Sequence, residues 1–409
     1  MSAAVTRRRL QTSLVLGVGL GSTGYIAAIT IATIVAKELS GGSSFAGLPG
    51  ATIVLGSAAA SQLLSRFMVR YGRRAGLVLG YGIGAAGALA AGVAVVLSSF
   101  PLFIVATGAM GCANAANQLS RYTAADMYPE TGRASAIGLV VWGSTLGSIV
   151  GPNLVTLSGN IAEGFNLPRL AGVYGVPALF VTAAALLTLF TLRPDPATLA
   201  PAPARAIKRA SASLGEMLAR PRILAAVVAL IAGQVVMVLV MTMTPLHMTE
   251  HNHGLDAVGL VISGHTFGMF AFSPISGRLA GRFGTPIIIA AGLALSAFSS
   301  VLAAVAPPDG GTVLFVALFL LGVGWNFLFT GSTTLSLSAY SPQERDRAHG
   351  ALNFLVFAVM AMSSLFAGVL VTTRGWSQLN WGSLLPVAVC AAALLWLAAH
   401  QRALKASAQ

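Results

Sequence analysis

Charged side chains are scarce in this chain of 409 residues. Asp, Glu, Lys and Arg make up 9% of it, whereas soluble domains contain about 25%. The mean hydropathy is +0.81, and 56% of the residues are hydrophobic. Apolar runs of about 20 residues, long enough to cross the hydrocarbon core of a bilayer, recur along the whole length. This composition excludes an ordinary soluble domain and predicts an all-α membrane protein.

Acidic residues and cysteines are also few. All eleven Asp and Glu residues fall in loops or at the ends of apolar runs, so no membrane carboxylate is evident for proton coupling or for binding Mg²⁺ or Ca²⁺. Cys112 and Cys390 lie within apolar runs and give no disulfide framework. No catalytic triad, metalloprotease motif or phosphate-binding loop is present, so neither an enzyme nor an ATP-driven pump is supported.

Twelve apolar segments are long enough to span a membrane. They lie at roughly 12–36, 44–65, 75–97, 101–122, 134–158, 173–192, 222–245, 257–276, 285–305, 311–337, 350–372 and 382–399. The first has no evident cleavage site, and we expect it to be a retained helix. A stretch rich in Pro, Ala and basic residues separates six segments from six. It predicts an N-terminal bundle (1–192), a cytoplasmic linker (193–221) and a C-terminal bundle (222–409).

The net charge of +13 reflects topology rather than nucleic-acid binding. An even number of spans places both termini on one side, and that side carries all but three (Lys37, Arg169 and Arg374) of the 24 Lys and Arg residues. The positive-inside rule then places both termini in the cytoplasm. We expect a multi-pass protein of the bacterial inner membrane whose partners include the lipid bilayer and no nucleic acid.

The two halves repeat a basic loop. SRFMVRYGRR (65–74) follows the second segment and GRLAGRFG (277–284) follows the eighth, so that Arg70 aligns with Arg282 and Gly72 with Gly284. Such a repeat implies two similar six-helix bundles that face each other. Transporters built in this way bind substrate near the midplane and alternate access by rocking.

These loops resemble the signature of the major facilitator superfamily, G-x-x-x-D-R-x-G-R-R, although Val69 and Gly281 replace its Asp. GSIVGP (147–152) is similar to the Gly-Pro motif of the superfamily's drug antiporters. The resemblance implies twelve transmembrane helices in two pseudo-symmetric six-helix bundles, the major facilitator fold. It also implies a conformational role for the matching positions. They are Arg70, Gly72, Arg73, Arg74, Gly277, Arg282 and Gly284.

Methionine and histidine gather in the seventh and eighth segments. Met237 and Met241, and likewise His265 and Met269, are spaced by four residues, so each pair shares one helix face. At 1.5 Å per residue, Met237 and His265 both lie about 12 Å from the outer ends of their helices. Thioethers select Cu(I), and imidazole also suits copper. We therefore predict that these four residues form a metal site, with packing of the same side chains as the plain alternative.

Two further groups of residues are candidates for function. The loop after the seventh segment supplies potential copper-capturing ligands, which otherwise form a solvated surface: His247, Met248, His251 and His253. A central cavity would be lined by further residues, unless these only pack or join helices: Met110, Cys112, Asn114, Gln234 and Asn326. For an organic solute, Tyr25, Trp142 and Trp325 are aromatic candidates.

The paired motifs on segments seven and eight are similar to those of the CcoA-type copper importers, a small branch of the superfamily that supplies cytochrome oxidase assembly. This resemblance implies that copper is the transported substrate and that no cofactor is needed. It also implies that copper is bound by Met237, Met241, His265 and Met269 and is delivered to a cytoplasmic copper chaperone. A related branch lacks the motifs and carries riboflavin. The alternatives are therefore a carrier of an organic solute such as riboflavin, a drug exporter, or a non-transporting copper sensor.

Overall fold

The computed structural model describes residues 3–128, 130–199, 214–307, 309–339 and 342–407, and every regular element in these ranges is helical. Twelve long helices follow one another: α1 (Ala3–Ser40), α2 (Leu48–Tyr71), α3 (Arg73–Val96), α4 (Phe100–Asp126), α5 (Glu130–Gly164), α6 (Gly175–Thr191), α7 (Pro221–Glu250), α8 (Leu255–Ala271), α9 (Thr285–Val305), α10 (Gly311–Ala339), α11 (Pro342–Gly382) and α12 (Leu384–Ser407). Short helices occupy Ser43–Phe45, Arg169–Val173, Pro196–Leu199, Leu214–Leu218 and Ser273–Phe283. Of the predicted linker, residues 200–213 lie outside the described part of the chain.

Each of the twelve predicted segments coincides with a long helix, which confirms the all-helical fold. Among the described residues, nine helical stretches are long and apolar enough to cross a membrane, and α8 with the helix Ser273–Phe283 forms a tenth, bent by 43°. The longest of the nine, Phe354–Ala403, covers parts of α11 and α12. Helix α4 falls outside this group because Asn114 and Asn117 lower its hydropathy.

The repeated loop seen in the sequence is also a repeated backbone geometry. Gly72 ends α2 with a φ of 92°, and Gly284 ends the helix Ser273–Phe283 with a φ of 89°. Side chains other than glycine rarely adopt this left-handed region, so both loops require glycine. Arg70 and Arg282 lie over the neighbouring rings of Tyr71 and Phe283, at 5.3 and 5.2 Å. The two halves therefore turn between their second and third helices in the same way.

Small residues allow close helix packing within each half. A Cβ added to Gly56 in α2 would lie 2.9 Å from the carbonyl carbon of Gly108 in α4. In the second half, a Cβ on Gly292 of α9 would lie 2.8 Å from the carbonyl oxygen of Gly324 in α10. Backbones approach this closely in membrane bundles because packing, rather than the hydrophobic effect, joins the helices.

The first half (α1–α6) and the second half (α7–α12) meet along two helix pairs and at one end. Asn153 of α5 donates from Nδ2 to Ser263 Oγ of α8 at 2.9 Å. Ser364 Oγ of α11 donates to the Gly47 carbonyl oxygen before α2, at 2.8 Å. Lys37 Nζ and Glu250 Oε1, at the ends of α1 and α7, lie 2.5 Å apart. We call the end with Lys37 and Glu250 the distal end, and the end with the Gly72 and Gly284 loops the proximal end.

Candidate substrate cavity

A cavity of about 320 Å³ lies between the two halves. It is lined by α1, α2, α4 and α5 from the first half and by α7, α8, α10 and α11 from the second. Pockets for small organic ligands usually measure about 300–1,000 Å³. The contacts of Gly47 with Ser364 and of Lys37 with Glu250 lie on its distal side. The cavity is therefore closed distally in this conformation.

The polar part of the wall from the first half lies mainly on α4, beside apolar side chains of α1, α2 and α5. Helix α4 presents Asn114, Asn117, Gln118 and Arg121 to the cavity, at the i, i+3, i+4, i+7 spacing of a single helix face. The Tyr81 hydroxyl donates to Asn117 Oδ1 at 2.9 Å, and the Arg121 guanidinium donates to Gln118 Oε1 at 2.9 Å. With these two carbonyl oxygens already bonded, the remaining amide and guanidinium N–H groups are among the groups that this wall offers a solute.

The wall from the second half is aromatic and apolar. Trp325 and Phe329 of α10 stack with ring centroids 4.9 Å apart and an interplanar angle of 12°. Phe270 of α8 meets Trp325 edge-on at 6.3 Å. Within this wall, Gln234 Oε1 and Trp325 Nε1 are buried without a hydrogen-bond partner among the described residues. Buried polar atoms are normally paired, so these two atoms are unsatisfied in this conformation.

The predicted metal site is divided in the structure. Met237, Met241 and Met269 line the cavity and pack in one cluster with Trp325 and other apolar side chains. His265, in contrast, is fully buried, lies outside the cavity lining, and places Nδ1 2.8 Å from the Leu318 carbonyl oxygen of α10. The expected facing of Met237 and His265 is therefore not found, because the imidazole turns toward α10 rather than into the cavity.

Two of the four residues predicted to form a metal-capturing loop, His247 and Met248, lie within α7. The helix continues past Pro245 to Glu250, and Met248 is fully buried. His247 stacks on Trp376 with centroids 4.3 Å apart, and its ring is 4.3 Å from that of His251. His253 lines a separate pocket beside Met248 and Asp309. The described residues hold no group of three or more His, Cys, Asp or Glu arranged to bind a metal ion.

The other predicted cavity residues separate into two groups. Asn114 and Gln234 line the cavity. Met110 packs in the apolar core of the first half, and Cys112 packs beside Leu64. Asn326 is buried and donates from Nδ2 to the Met269 carbonyl oxygen at 2.7 Å, so it joins α10 to α8. Among the aromatic candidates Tyr25 and Trp325 line the cavity, whereas Trp142 is 48% exposed outside its lining.

Two functional positions were missed by the sequence reasoning. Arg121 was counted with the proximal basic loops, although it completes the spacing of Asn114, Asn117 and Gln118 on the cavity face of α4. That spacing was the available signal. Asp195 was counted as part of a linker, and nothing in the sequence links it to the basic loop.

Asp195 supplies a carboxylate to the Gly72 loop, which lacks the Asp of the superfamily signature. Its carboxylate accepts from the backbone N–H groups of Arg73 at 3.2 Å and Arg74 at 2.9 Å, at the first turn of α3. The Arg73 guanidinium in turn pairs with Asp126 of α4 at 2.6 Å. Val69, at the position of the signature's Asp, is 88% exposed. The loop is therefore held by acids from α4 and from the start of the linker.

Comparison with known proteins agrees with this architecture. The chain matches the family model of the Major Facilitator Superfamily over residues 14–258 and 236–409. It is 37% identical to the uncharacterized MFS-type transporter YddS of Bacillus subtilis (strain 168), over 88% of this chain and 84% of that protein. It is 33% identical to the riboflavin transporter RfnT of Brucella anthropi, over 93% of this chain and 94% of that protein.

A solved structure shows the same fold at low sequence identity. A bacterial homolog of the human lysosomal transporter Spinster, in an inward-facing and unoccupied conformation, superimposes with a TM-score of 0.66 and 16% identity, over 96% of this chain and 97% of that one. The expected similarity to copper importers gains no support from these relatives. The family matches and the fold establish that this chain is a transporter of the major facilitator superfamily.

Proposed function

We propose that this transporter carries an organic solute with a flat aromatic ring system and a hydrogen-bonding edge, and that riboflavin represents the class. The observation that carries the proposal is the contrast between the polar face of α4 in the first half and the aromatic cluster in the second half. N–H donors from α4 face Trp325, Phe329 and Phe270 from the second half. A flat heteroaromatic ring can stack on one wall while its carbonyl edge accepts from the other.

Similarity and conformation both support this proposal. A relative named as a riboflavin transporter is 33% identical over nearly the whole of both chains. We place the proximal end, with its basic loops and both termini, in the cytoplasm of a bacterial inner membrane. The distal contacts then close the periplasmic side, and rocking of the halves about the cavity gives alternating access.

The test is riboflavin uptake into cells that lack their own flavin transport, at matched protein levels. Replacing Trp325 by Ala removes a stacking surface worth about 1–3 kcal/mol per base-sized ring, which is roughly 5- to 150-fold in affinity. Trp142→Ala is the matched control because that ring lies outside the cavity lining and is exposed. Equal riboflavin uptake by both variants and the parent would contradict the proposal, as would an absence of uptake in all three.

Copper import is the second candidate, and the methionine cluster is the observation that favours it. Met237, Met241 and Met269 place three thioethers on one cavity wall, and thioethers prefer Cu(I). On this candidate the copper passes to a cytoplasmic chaperone for cytochrome oxidase assembly. On this candidate we expect copper uptake to fall in Met237→Ala and to survive in His265→Ala. Of these two residues, Met237 lines the cavity and His265 does not. Copper uptake unchanged in Met237→Ala would refute it.

A further inference from the structure

Arg121 is distinct among the residues that line the cavity. Of the lining residues that the structure describes, it alone is charged. It lies on α4 one turn proximal to Asn117 and Gln118. A charged group within a membrane-spanning helix is costly and is retained mainly where it serves a function.

The surroundings of the guanidinium hold it in place without neutralising it. Its terminal nitrogen donates to Gln118 Oε1 at 2.9 Å and to the Tyr122 hydroxyl at 3.5 Å, and its plane lies 5.1 Å from the Tyr122 ring centroid. Neither ion pair found in the described part of the chain includes Arg121. Its Nε is buried and has no hydrogen-bond partner among the described residues. The group therefore keeps its positive charge, and of its five N–H donors the two on Nη1 are left for a ligand.

We propose that Arg121 recognises an anionic oxygen group, phosphate or carboxylate, on the aromatic solute and so makes the cavity select negatively charged members of that class. This inference rests on the proposed function, since it assigns the aromatic part of the solute to the wall of Trp325 and Phe270. A guanidinium presents parallel N–H groups that match the two oxygens of a carboxylate or phosphate. The aromatic ring and the anionic group would then contact opposite walls.

The experiment compares two flavins that share a ring system and differ in one phosphate. Riboflavin and riboflavin 5′-phosphate are titrated onto the purified full-length transporter, and binding is followed by quenching of flavin fluorescence. Because hydrogen bonds to a charged group are roughly twice as strong as neutral ones, we expect the phosphate form to bind roughly 10- to 100-fold more tightly. Arg121→Gln should abolish this preference. Arg121→Lys keeps the positive charge but not the parallel N–H groups of the guanidinium, so it should retain part of the preference for the phosphate form.

A matched control separates recognition from general loss of positive charge. Arg222→Gln removes an exposed charge at the proximal end of α7 and should leave the preference intact. Thermal unfolding and size-exclusion profiles show whether each variant is folded. Equal binding of both flavins by the folded parent, or a preference that persists in Arg121→Gln, would overturn the inference and leave the proposed function standing.

If neither flavin binds, the flavin assignment fails, and a second pair still decides the role of Arg121. Naphthalene-2-carboxylate and naphthalene-2-carboxamide have the same aromatic size and differ in charge, and their binding is measured by titration calorimetry. Preference for the carboxylate in the parent and its loss in Arg121→Gln supports the inference. No preference in the parent overturns it.

Discussion

Gly47 lies where the two halves touch at the distal end, and adding a methyl group there should favour the conformation that is open at that end. A Cβ on Gly47 would stand 2.7 Å from the carbonyl carbon of Ser364 in α11 and closer still to its oxygen. Ordinary contact begins near 3.4 Å, so α2 and α11 must separate by more than the 0.7 Å or so that the carbonyl carbon alone requires, since the oxygen is nearer. Gly47 has a φ of −79°, which alanine adopts freely, so the effect is steric only.

The expected magnitude follows from this overlap. Extra methyl groups in well-packed interfaces cost about 1–3 kcal/mol, and this cost disappears when the halves part at the distal end. The distally open population should therefore rise roughly 5- to 150-fold in Gly47→Ala. Gly42→Ala is the control, since a Cβ there meets nothing within 4 Å.

A cavity thiol reports the shift. Thr242 lines the cavity, and Thr242→Cys in a chain without Cys112 and Cys390 is labelled in intact cells by a membrane-impermeant reagent. Labelling should be faster in Gly47→Ala by the same factor, roughly 5- to 150-fold. The same labelling rate in Gly47→Ala, Gly42→Ala and the parent would refute the reasoning, because it would mean that the distal contact does not limit opening.

Three other changes have expected outcomes. Asp195→Ala removes the acceptor for the first turn of α3 and should lower the free energy of unfolding by about 1–2 kcal/mol, seen as a lower melting temperature in detergent. Gly322→Ala places a methyl group 3.0 Å from the His265 carbonyl carbon and should destabilise the α8–α10 contact by about 1–3 kcal/mol. Glu250→Gln breaks the pair with Lys37, which is partly exposed, so the distally closed state should lose less than about 1 kcal/mol and transport should change little.

These three predictions have their own controls. Asp195→Asn keeps a side-chain acceptor and should unfold between the parent and Asp195→Ala. Gly82→Ala is the control for Gly322→Ala. A Cβ at Gly82 meets no atom within 4 Å, so this change should leave stability unchanged. An unaltered melting temperature in Asp195→Ala or Gly322→Ala, or loss of transport in Glu250→Gln, would show that the corresponding contact has been misjudged.

The fold was predictable because hydropathy and charge are properties of composition. Spans of the required length and a strongly one-sided distribution of Lys and Arg specify a helical bundle before any contact is known. The repeated glycines, Gly72 and Gly284, showed the two-fold repeat because each position requires a left-handed backbone. Element type and repeat therefore follow from local chemistry.

The details of the site were less predictable, and His265 shows why. Its spacing from Met269 correctly placed both on one sector of α8, but spacing does not determine how the helix is rotated against its neighbours. With 3.6 residues per turn, His265 and Met269 differ by about 40° around the helix axis, which is enough for one to face α10 and the other the cavity. Pro245 led to a different wrong expectation, namely that the seventh helix ends there. Helices in membrane proteins accommodate proline, so α7 continued through it and carried His247 into a buried position.

The two cavity walls belong to different halves of the protein, and this connects solute binding to the transport cycle. The donors belong to α4 of the first half, whereas Trp325 and Phe270 belong to the second half. Rocking that opens the distal end therefore separates the two groups that a solute must contact together. The Gly47→Ala variant should consequently bind the solute more weakly. Its affinity should fall by the same factor as its distally closed population. Its preference for an anionic solute should persist, since Arg121 and the α4 donors move as one body, and the phosphate contact does not require the aromatic wall. A variant that lost charge preference and affinity together would instead show that both walls form a single recognition unit.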